Sequence, residues 1–283
     1  MAEETPKTRS TRFELDVEAP AEHVWRALTE AEELVRWFPT RAEVAPGRGG
    51  SVLWAWGGAW DWRHRIDAWE PPRLLRLVQD VPQRFDADGK AVEDRTTGEP
   101  MALEFTLTAR GGTTKLTLLH SGFGPGAAWD DELESTRTGW TYELTALKYY
   151  LENHRGKDRR VGWATASATL TQEEVWERLL SPEGFGLEAQ ERKTGATFTV
   201  AAATGDRFTG RLHQVIPGRE VSGHVDGLDG GILRFSTHRA GGRTGTFVWL
   251  SSYSGDADVE GFAVRARALL DRLFPPEREA AGG

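Results

Sequence analysis

Four of the twelve tryptophans lie within nine residues of the sequence, and they are its most unusual local feature. The four are Trp54, Trp56, Trp60 and Trp62. Their spacing of two predicts β-strands, because alternate residues of a strand share a face. We therefore predict a hairpin over residues 51–66 (SVLWAWGGAWDWRHRI), in which His64 shares a face with Trp60 and Trp62.

The loop of this hairpin decides whether the four indoles share one face. A two-residue turn at Gly57-Gly58 would pair Trp56 with Ala59 and divide the tryptophans between both faces. A three-residue loop would pair Trp56 with Trp60 and gather all four. We favour the gathered register because it leaves a continuous polar outer face, made of Asp61, Arg63, Arg65 and Asp67.

The size of the indoles limits what such a face can do. Each tryptophan offers about 150–250 Å² of surface, so four exposed together would exceed the roughly 300–600 Å² of the largest apolar patch on a typical monomer. The face must therefore be a core against a helix, the wall of a ligand cavity or an interface.

Two histidines are the candidates for polar chemistry near these rings. His120 follows Leu116 and Leu118 at strand spacing, so it should point to the apolar side. It could be a hydrogen-bonded residue at the strand end, contact a ligand or, like His64, serve as a general base. We assign neither to catalysis.

Other reactive motifs are missing from the sequence. It has no cysteine, and its seven histidines show no H-x-x-x-H spacing, so we expect no zinc site. It has no G-x-S-x-G nucleophile motif. The glycines of residues 227–231 lack the strand–helix context of a phosphate loop. We expect neither a metal nor a cofactor.

The elements that must position these residues occur twice in the chain. Residues 17–29 and 168–180 each predict an extended run and then a short helix with the pair Val-Trp. Thr171 and Glu174 form a capping box at the start of the second helix. The copies continue with a strand–proline turn–strand segment over residues 66–77 and 212–223.

Each copy then predicts a hairpin with a glycine turn, over residues 103–120 and 232–250, followed by a helix. The helices are predicted over residues 140–153 and 259–274 from their apolar spacing. This order predicts an α+β fold of two tandem modules, in which a curved antiparallel sheet wraps on a long C-terminal helix. The boundaries are expected at residues 8–156 and 158–276.

Composition limits the partners of the chain. With 283 residues and a net charge of −8, it is long enough for two domains and poorly suited to bind nucleic acid. No apolar stretch is long enough to span a membrane, and the first ten residues do not resemble a secretory signal. We expect a cytoplasmic protein with no membrane partner.

Five segments of the first copy carry a resemblance to a known family. They are AEHVWRALTEAEELVRWF (21–38), Gly49-Gly50, EPPRLLRL (70–77), GGTTKLTLLHSGF (111–123) and GW with ALKYYLENH (139–154). This copy resembles the family of homologues of the activator of heat-shock-protein-90 ATPase, in the START-like superfamily, also called SRPBCC or Bet v1-like. The second copy is similar more loosely and has no His-Ser-Gly-Phe segment.

The resemblance implies a helix-grip fold with a ligand cavity between sheet and helix. We expect the first copy to hold an apolar or aromatic small molecule there. The expected ligand-binding residues are Trp54, Trp56, Trp60, Trp62, His64, Phe105, His120, Phe123 and Trp140. A cyclase-like or hydrolase-like enzyme with the same cavity is one alternative. A module that contacts a chaperone is another, less favoured because residues 1–10 do not resemble the amino-terminal region of the eukaryotic activators.

The second copy carries smaller side chains where the first carries tryptophan. Residues 196–215 (ATFTVAAATGDRFTGRLHQV) are dominated by Ala and Thr. An empty apolar hole of about 150 Å³ would cost about 3–4 kcal/mol, so we predict that this copy is closed and mainly structural. The polar stretch over residues 79–100 of the first copy is predicted to be a lid over its cavity.

Overall fold

The computed structural model describes residues 8–57, 61–79, 84–85, 91–92, 100–125 and 129–275. Within these ranges the chain divides into two compact units, the first ending at Asp158 and the second beginning at Arg159. Each unit contains one seven-stranded antiparallel sheet followed by a helix. The predicted α+β class and the tandem arrangement are therefore confirmed. Most of the predicted lid lies outside the described residues.

The first unit begins with a strand and two short helices. Its strands are β1 (Arg9–Val17), β2 (Arg41–Ala45), β3 (Ser51–Ala55), β4 (Asp61–Glu70), β5 (Leu74–Gln79), β6 (Arg84–Phe85), β7 (Ala91–Val92), β8 (Met101–Arg110) and β9 (Thr113–Phe123). Its helices are α1 (Ala21–Thr29), α2 (Ala31–Leu34) and α3 (Asp130–Tyr149), the last continued by a π-helical turn over Tyr150–His154. The sheet order is β1-β9-β8-β5-β4-β3-β2, and β6 pairs with β7 separately.

The predicted helix over residues 140–153 is wrong at its start, because α3 begins at Asp130. The polar run ESTRTG of residues 134–139 hides the earlier apolar position, Leu133, which is 6% exposed. Asp130, Asp131 and Glu132 lie in the first turn, where negative charge stabilises the positive end of the helix dipole. Local electrostatics thus extend the helix beyond the apolar pattern.

The second unit repeats the order of the first. Its strands are β10 (Arg160–Ala168), β11 (Leu187–Ala189), β12 (Thr197–Ala201), β13 (Arg207–Ile216), β14 (Glu220–Val225), β15 (Ile232–Ala240) and β16 (Arg243–Ser252). Its helices are α4 (Gln172–Leu180) and α5 (Val259–Leu273). The sheet order is β10-β16-β15-β14-β13-β12-β11. The predicted capping box at the start of α4 is confirmed, since the Thr171 and Glu174 side chains each accept from the other residue's backbone N–H.

The ladders of the two sheets match position by position. Trp54 lies opposite Trp62 in the first sheet, and Val200 lies opposite Phe208 in the second. Each ladder then has a register shift at the equivalent place, after Ile66 in β4 and after Leu212 in β13. The register therefore identifies equivalent residues. Equivalent pairs include Val52 and Phe198, Trp54 and Val200, His64 and Gly210, Leu77 and Gly223, and His120 and Leu250.

A phenylalanine core fills the second unit. Its buried aromatic residues include Phe185, Phe198, Phe235 and Phe262, each 1% exposed. The Phe198 ring lies directly over two glycines of the neighbouring strands. A Cβ atom would lie 2.9 Å from Phe198 Cε1 if built on Gly210, and 2.5 Å from it if built on Gly223. These glycines therefore make room for the ring.

No helix among the described residues is both long and apolar enough to cross a membrane.

Candidate functional site

Strand pairing puts the tryptophans of the β3–β4 hairpin on one face. Trp54 is paired with Trp62, and Ala55 with Asp61, which is the register of a three-residue loop. The gathered register is therefore the one observed along the described strands. The ring centroids of Trp56 and Trp62 are 5.2 Å apart. Trp60 lies outside the described residues.

These rings join α3 in one aromatic cluster over the inner face of the sheet. Trp54 is 2% exposed, and its ring centroid lies 6.2 Å from that of Trp140 on α3. The Phe105 centroid lies 5.8 Å from that of Trp140 on another side. Trp56 and Trp62 are only partly buried, so the cluster reaches the protein surface on their side.

Phe38, which is not among the predicted ligand-binding residues, lies at the centre of this cluster. Its centroid is 4.9 Å from that of Trp54, 5.1 Å from that of Trp56 and 5.5 Å from that of Trp140. Trp37 stacks on it and donates a 2.8 Å hydrogen bond from Nε1 to the Ala27 carbonyl oxygen. The available signal was the Trp-Phe pair directly after the apolar helical stretch.

One polar atom is buried inside the cluster without a partner. Trp54 Nε1 makes no hydrogen bond to any described residue, and its side chain is 2% exposed. The His64 ring, which is hydrogen-bonded to the backbone of Val52 and Trp62, is 5% exposed, and its centroid lies 4.5 Å from that of Trp54. A buried polar atom without a partner costs about 1–3 kcal/mol, so a ligand that accepted a hydrogen bond from Trp54 Nε1 would recover part of that free energy.

His120 is held in one tautomer by α3. Trp140 Nε1–H donates a 3.1 Å hydrogen bond to His120 Nδ1. Because Nδ1 accepts, the neutral imidazole carries its proton on Nε2. The ring contacts Phe123, with centroids 4.8 Å apart, and it keeps a partly exposed edge.

Both histidines are neutral near pH 7. Burial lowers the pKa of His64 to about 4, and burial with the nearby His64 lowers the pKa of His120 to about 3. Desolvation disfavours the charged imidazolium in such surroundings. The cluster is therefore an uncharged surface with a few fixed hydrogen-bonding atoms.

The structure brings eight of the nine predicted residues together. Through Phe38, ring contacts connect Trp54, Trp56, Trp62, His64, Phe105, His120, Phe123 and Trp140. Phe123 also joins a small buried group with Met101, Trp129 and Leu133 at the start of α3. The eight residues thus pack against one another in one continuous cluster between sheet and helix.

A groove of about 500 Å³ lies elsewhere in the first unit. It is lined by Trp25, Thr29, Glu30, Ala31, Glu32, Val44, Pro46 and Trp69, and it contains none of the nine predicted residues. No local sequence pattern predicts this groove, because its walls come from α1, α2, β2 and β4, which are separated in the sequence. No set of three His, Asp or Glu side chains within the described ranges could hold a metal ion.

One family model matches the chain. It is described as "Activator of Hsp90 ATPase homolog 1-like protein", and it covers residues 18–152. The first module is similar to this family along nearly its whole length. The match runs from the start of α1 to the π-helical turn after α3, so it includes every described residue of the aromatic cluster. None of the curated proteins matches the chain significantly.

Several solved structures are similar to parts or most of this chain at low identity. The Aha1 dimer from Colwellia psychrerythraea is 17% identical, with 52% of this chain and 99% of that chain covered and a TM-score of 0.42. DynU16, described as a putative protein in the dynemicin biosynthetic locus, is 18% identical, with 93% and 95% covered and a TM-score of 0.43. CalU16 from Micromonospora echinospora is 22% identical, with 53% and 81% covered and a TM-score of 0.39.

Proposed function

We propose that the first module binds an uncharged aromatic small molecule that carries a hydrogen-bond acceptor. This proposal rests on the Trp54 Nε1–H group, which is a buried donor without a partner among the described residues and lies inside a cluster of aromatic rings. Apolar walls with a few fixed polar atoms are the usual composition of small-molecule sites.

The exposed part of the cluster suggests how the ligand would lie. Trp56 and Trp62 are partly exposed and inclined to each other by 64°. A flat ligand would pack against these indoles in offset or edge-to-face contacts, which add about 0.5–1.5 kcal/mol per ring pair beyond area burial. Its acceptor would accept a hydrogen bond from Trp54 Nε1–H, and a second acceptor could accept one from His120 Nε2–H.

The charge state of the site favours an uncharged ligand. With pKa values of about 4 and 3, His64 and His120 carry no positive charge near neutral pH to pair with a carboxylate. Burying an unpaired ionised group in this environment would be strongly unfavourable. The ligand is therefore expected to be neutral.

The same pKa values favour binding over general-base catalysis. A general base is most effective when its pKa lies near the working pH, and those of His64 and His120 are lowered several units below it. We therefore favour ligand binding over the enzyme alternative.

The test compares two ligands of the same shape by isothermal titration calorimetry on the full chain. The probes are 2-acetylnaphthalene, which has a carbonyl acceptor, and 2-ethylnaphthalene, which has none. We expect saturable binding of both, with the ketone bound about threefold to tenfold more tightly, the range for one neutral hydrogen bond. Trp54→Phe should abolish this preference while retaining an aromatic ring.

The matched control is Trp176→Phe on α4, which removes the N–H group of a largely buried indole in the second unit. It should leave both affinities unchanged. Failure of both naphthalenes and of a wider panel of apolar ligands to bind saturably would overturn the proposal. A ketone preference that survives in the Trp54→Phe variant would exclude Trp54 as the donor.

A further inference from the structure

The groove at the other end of the first sheet has two indole walls. Trp25 on α1 and Trp69 on β4 meet edge to face, with ring centroids 5.1 Å apart and planes inclined by 79°. Ala31, Val44 and Pro46 add apolar surface. Its volume of about 500 Å³ falls in the range of about 300–1,000 Å³ that is usual for small-molecule sites.

Carboxylates form the polar part of the groove. Both oxygens of Glu30 accept hydrogen bonds from Arg26 Nε, at 2.9 and 3.0 Å, so the charge of Glu30 is already paired. Glu32 is exposed, and its carboxylate has no hydrogen bond or ion pair with any residue in the described part of the chain. The Thr29 hydroxyl is occupied, since it donates to the Trp25 carbonyl oxygen at 2.7 Å. Glu32 therefore supplies an unpaired negative charge beside two indoles.

This combination has a specific chemical complement. Indole faces attract cations through the ring quadrupole, by about 0.5–1 kcal/mol at exposed sites and more when the cation is desolvated. A carboxylate at the rim adds attraction for the same sign of charge. An anionic ligand would meet Glu32 and gain nothing from the indoles.

We propose that this groove is a second binding site, for an organic cation with a compact apolar body, such as an alkylammonium group. The apolar part would lie against Val44, Pro46 and the Trp25 edge, and the positive charge would lie between an indole face and Glu32. This site is separate from the aromatic cluster in its residues and in the charge of its ligand.

The test uses choline and its uncharged isostere 3,3-dimethylbutan-1-ol, titrated into the ¹⁵N-labelled full chain. The indole N–H signals of Trp25 and Trp69 are assigned with Trp25→Phe and Trp69→Phe variants and followed by NMR. We expect choline to shift both signals saturably, with the isostere binding at least about threefold more weakly because it lacks the charge.

Two carboxylate variants distinguish specific binding in the groove from general electrostatic attraction to an acidic protein. Glu32→Gln should weaken choline binding about threefold and leave the isostere unchanged. Glu22→Gln, in the exposed first turn of α1 and outside the groove, should change neither. Equal binding of the two probes, an equal effect of both variants or no saturable shift of Trp25 and Trp69 would overturn the proposal. The naphthalene titrations report on Trp54 and are independent of this result.

Discussion

The interiors of the two units differ at equivalent positions of one common ladder. Trp54 and His64 in the first unit correspond to Val200 and Gly210 in the second, and His120 corresponds to Leu250. In the other direction, the small Val52 of the first unit corresponds to Phe198. The polar groups of the first interior are therefore replaced by apolar atoms in the second.

One ring accounts for much of this replacement. Phe198 occupies the space over Gly210 and Gly223, where the first unit has the side chains of His64 and Leu77. The same strand pairing can thus hold either a histidine beside a tryptophan or a phenylalanine over two glycines. The division between a closed module and a ligand-binding one stays a prediction, and this difference shows that one backbone topology can carry two different interiors.

Histidines do occur in the second unit, on the opposite face of its sheet. Along β14, Val221 joins the phenylalanine core, whereas Ser222 and His224 lie in positions that alternate with it. The His213 and His224 ring centroids are 4.9 Å apart, and Ser222 Oγ lies 3.2 Å from His213 Nε2. His213 and His224, which are partly buried, thus lie on the face of their sheet that is opposite to the core, whereas His64 lies on the core face of the first sheet.

The largest expected effect tests the closed core of the second unit. Phe198→Ala should lower the free energy of unfolding by about 3–5 kcal/mol, because it removes a buried ring and leaves a cavity over two glycines. The equivalent Val52→Ala in the first unit removes fewer atoms and should cost less. Urea denaturation of the full chain measures both, and a smaller loss for Phe198→Ala than for Val52→Ala would contradict the comparison.

The second effect concerns pH. His64 and His120 have lowered pKa values of about 4 and 3 when folded, against about 6.5 unfolded. The unfolded chain therefore binds their protons first, so stability is complete above about pH 6.5 and decreases as pH falls towards 4 and 3.

Between pH 6 and 5 the two histidines together should lower the free energy of unfolding by about 2–3 kcal/mol. In the His64→Leu/His120→Leu double variant this part of the loss should vanish. The pKa values of His213 and His238 are also lowered by burial, so a decline from the second unit should remain. Urea titrations at several pH values measure the slope, and an unchanged slope in the double variant would refute this assignment.

A third variant tests the close packing around Gly210. Gly210→Ala should cost about 1–3 kcal/mol through overpacking, because the new Cβ would lie 1.9 Å from the His224 carbonyl oxygen and 2.9 Å from Phe198 Cε1. Gly139→Ala is the matched control, since its Cβ on α3 would meet nothing within 4 Å. That control should gain about 0.5–1 kcal/mol in helix stability. Thermal denaturation that ranks the two variants in the opposite order would show that the glycines are not close-packed.

The smallest effect tests the donor in the first unit. Trp54→Phe should leave the free energy of unfolding within about 1 kcal/mol of the parent or raise it, because it removes a buried N–H that has no partner. Trp37→Phe should lower it by about 0.5–1.5 kcal/mol more than Trp54→Phe does, because both remove the same ring volume but only the Trp37 N–H bonds to a carbonyl oxygen, that of Ala27. Urea denaturation compares the pair, and an equal loss in both would indicate that Trp54 has a partner in solution.

The sequence predicted the elements well where a short pattern determined them. Period-two tryptophans predicted the β3–β4 hairpin, and the polar residues between them predicted its register, because a one-residue shift would bury Arg63 and Arg65. The capping box predicted the start of α4. In these cases neighbouring residues are sufficient to determine the local structure.

Features that depend on distant contacts were not predictable in this way. Phe38 follows a short helix, and only the folded chain shows that it contacts both the β3–β4 hairpin and α3. The groove beside Trp25 and Trp69 likewise combines residues more than 40 positions apart. The roles of Gly210 and Gly223 depend on which ring lies above them, which the composition of residues 196–215 does not reveal.

The inclined indole pairs of the first unit have an optical consequence. Trp56 and Trp62 meet at 64°, and Trp25 and Trp69 at 79°, each pair with centroids little more than 5 Å apart. Transition dipoles so close and so inclined couple, and coupled dipoles give paired circular-dichroism bands of opposite sign. The Hsp90-activator-like module therefore carries its own spectroscopic reporters, one pair in the aromatic cluster and one in the groove.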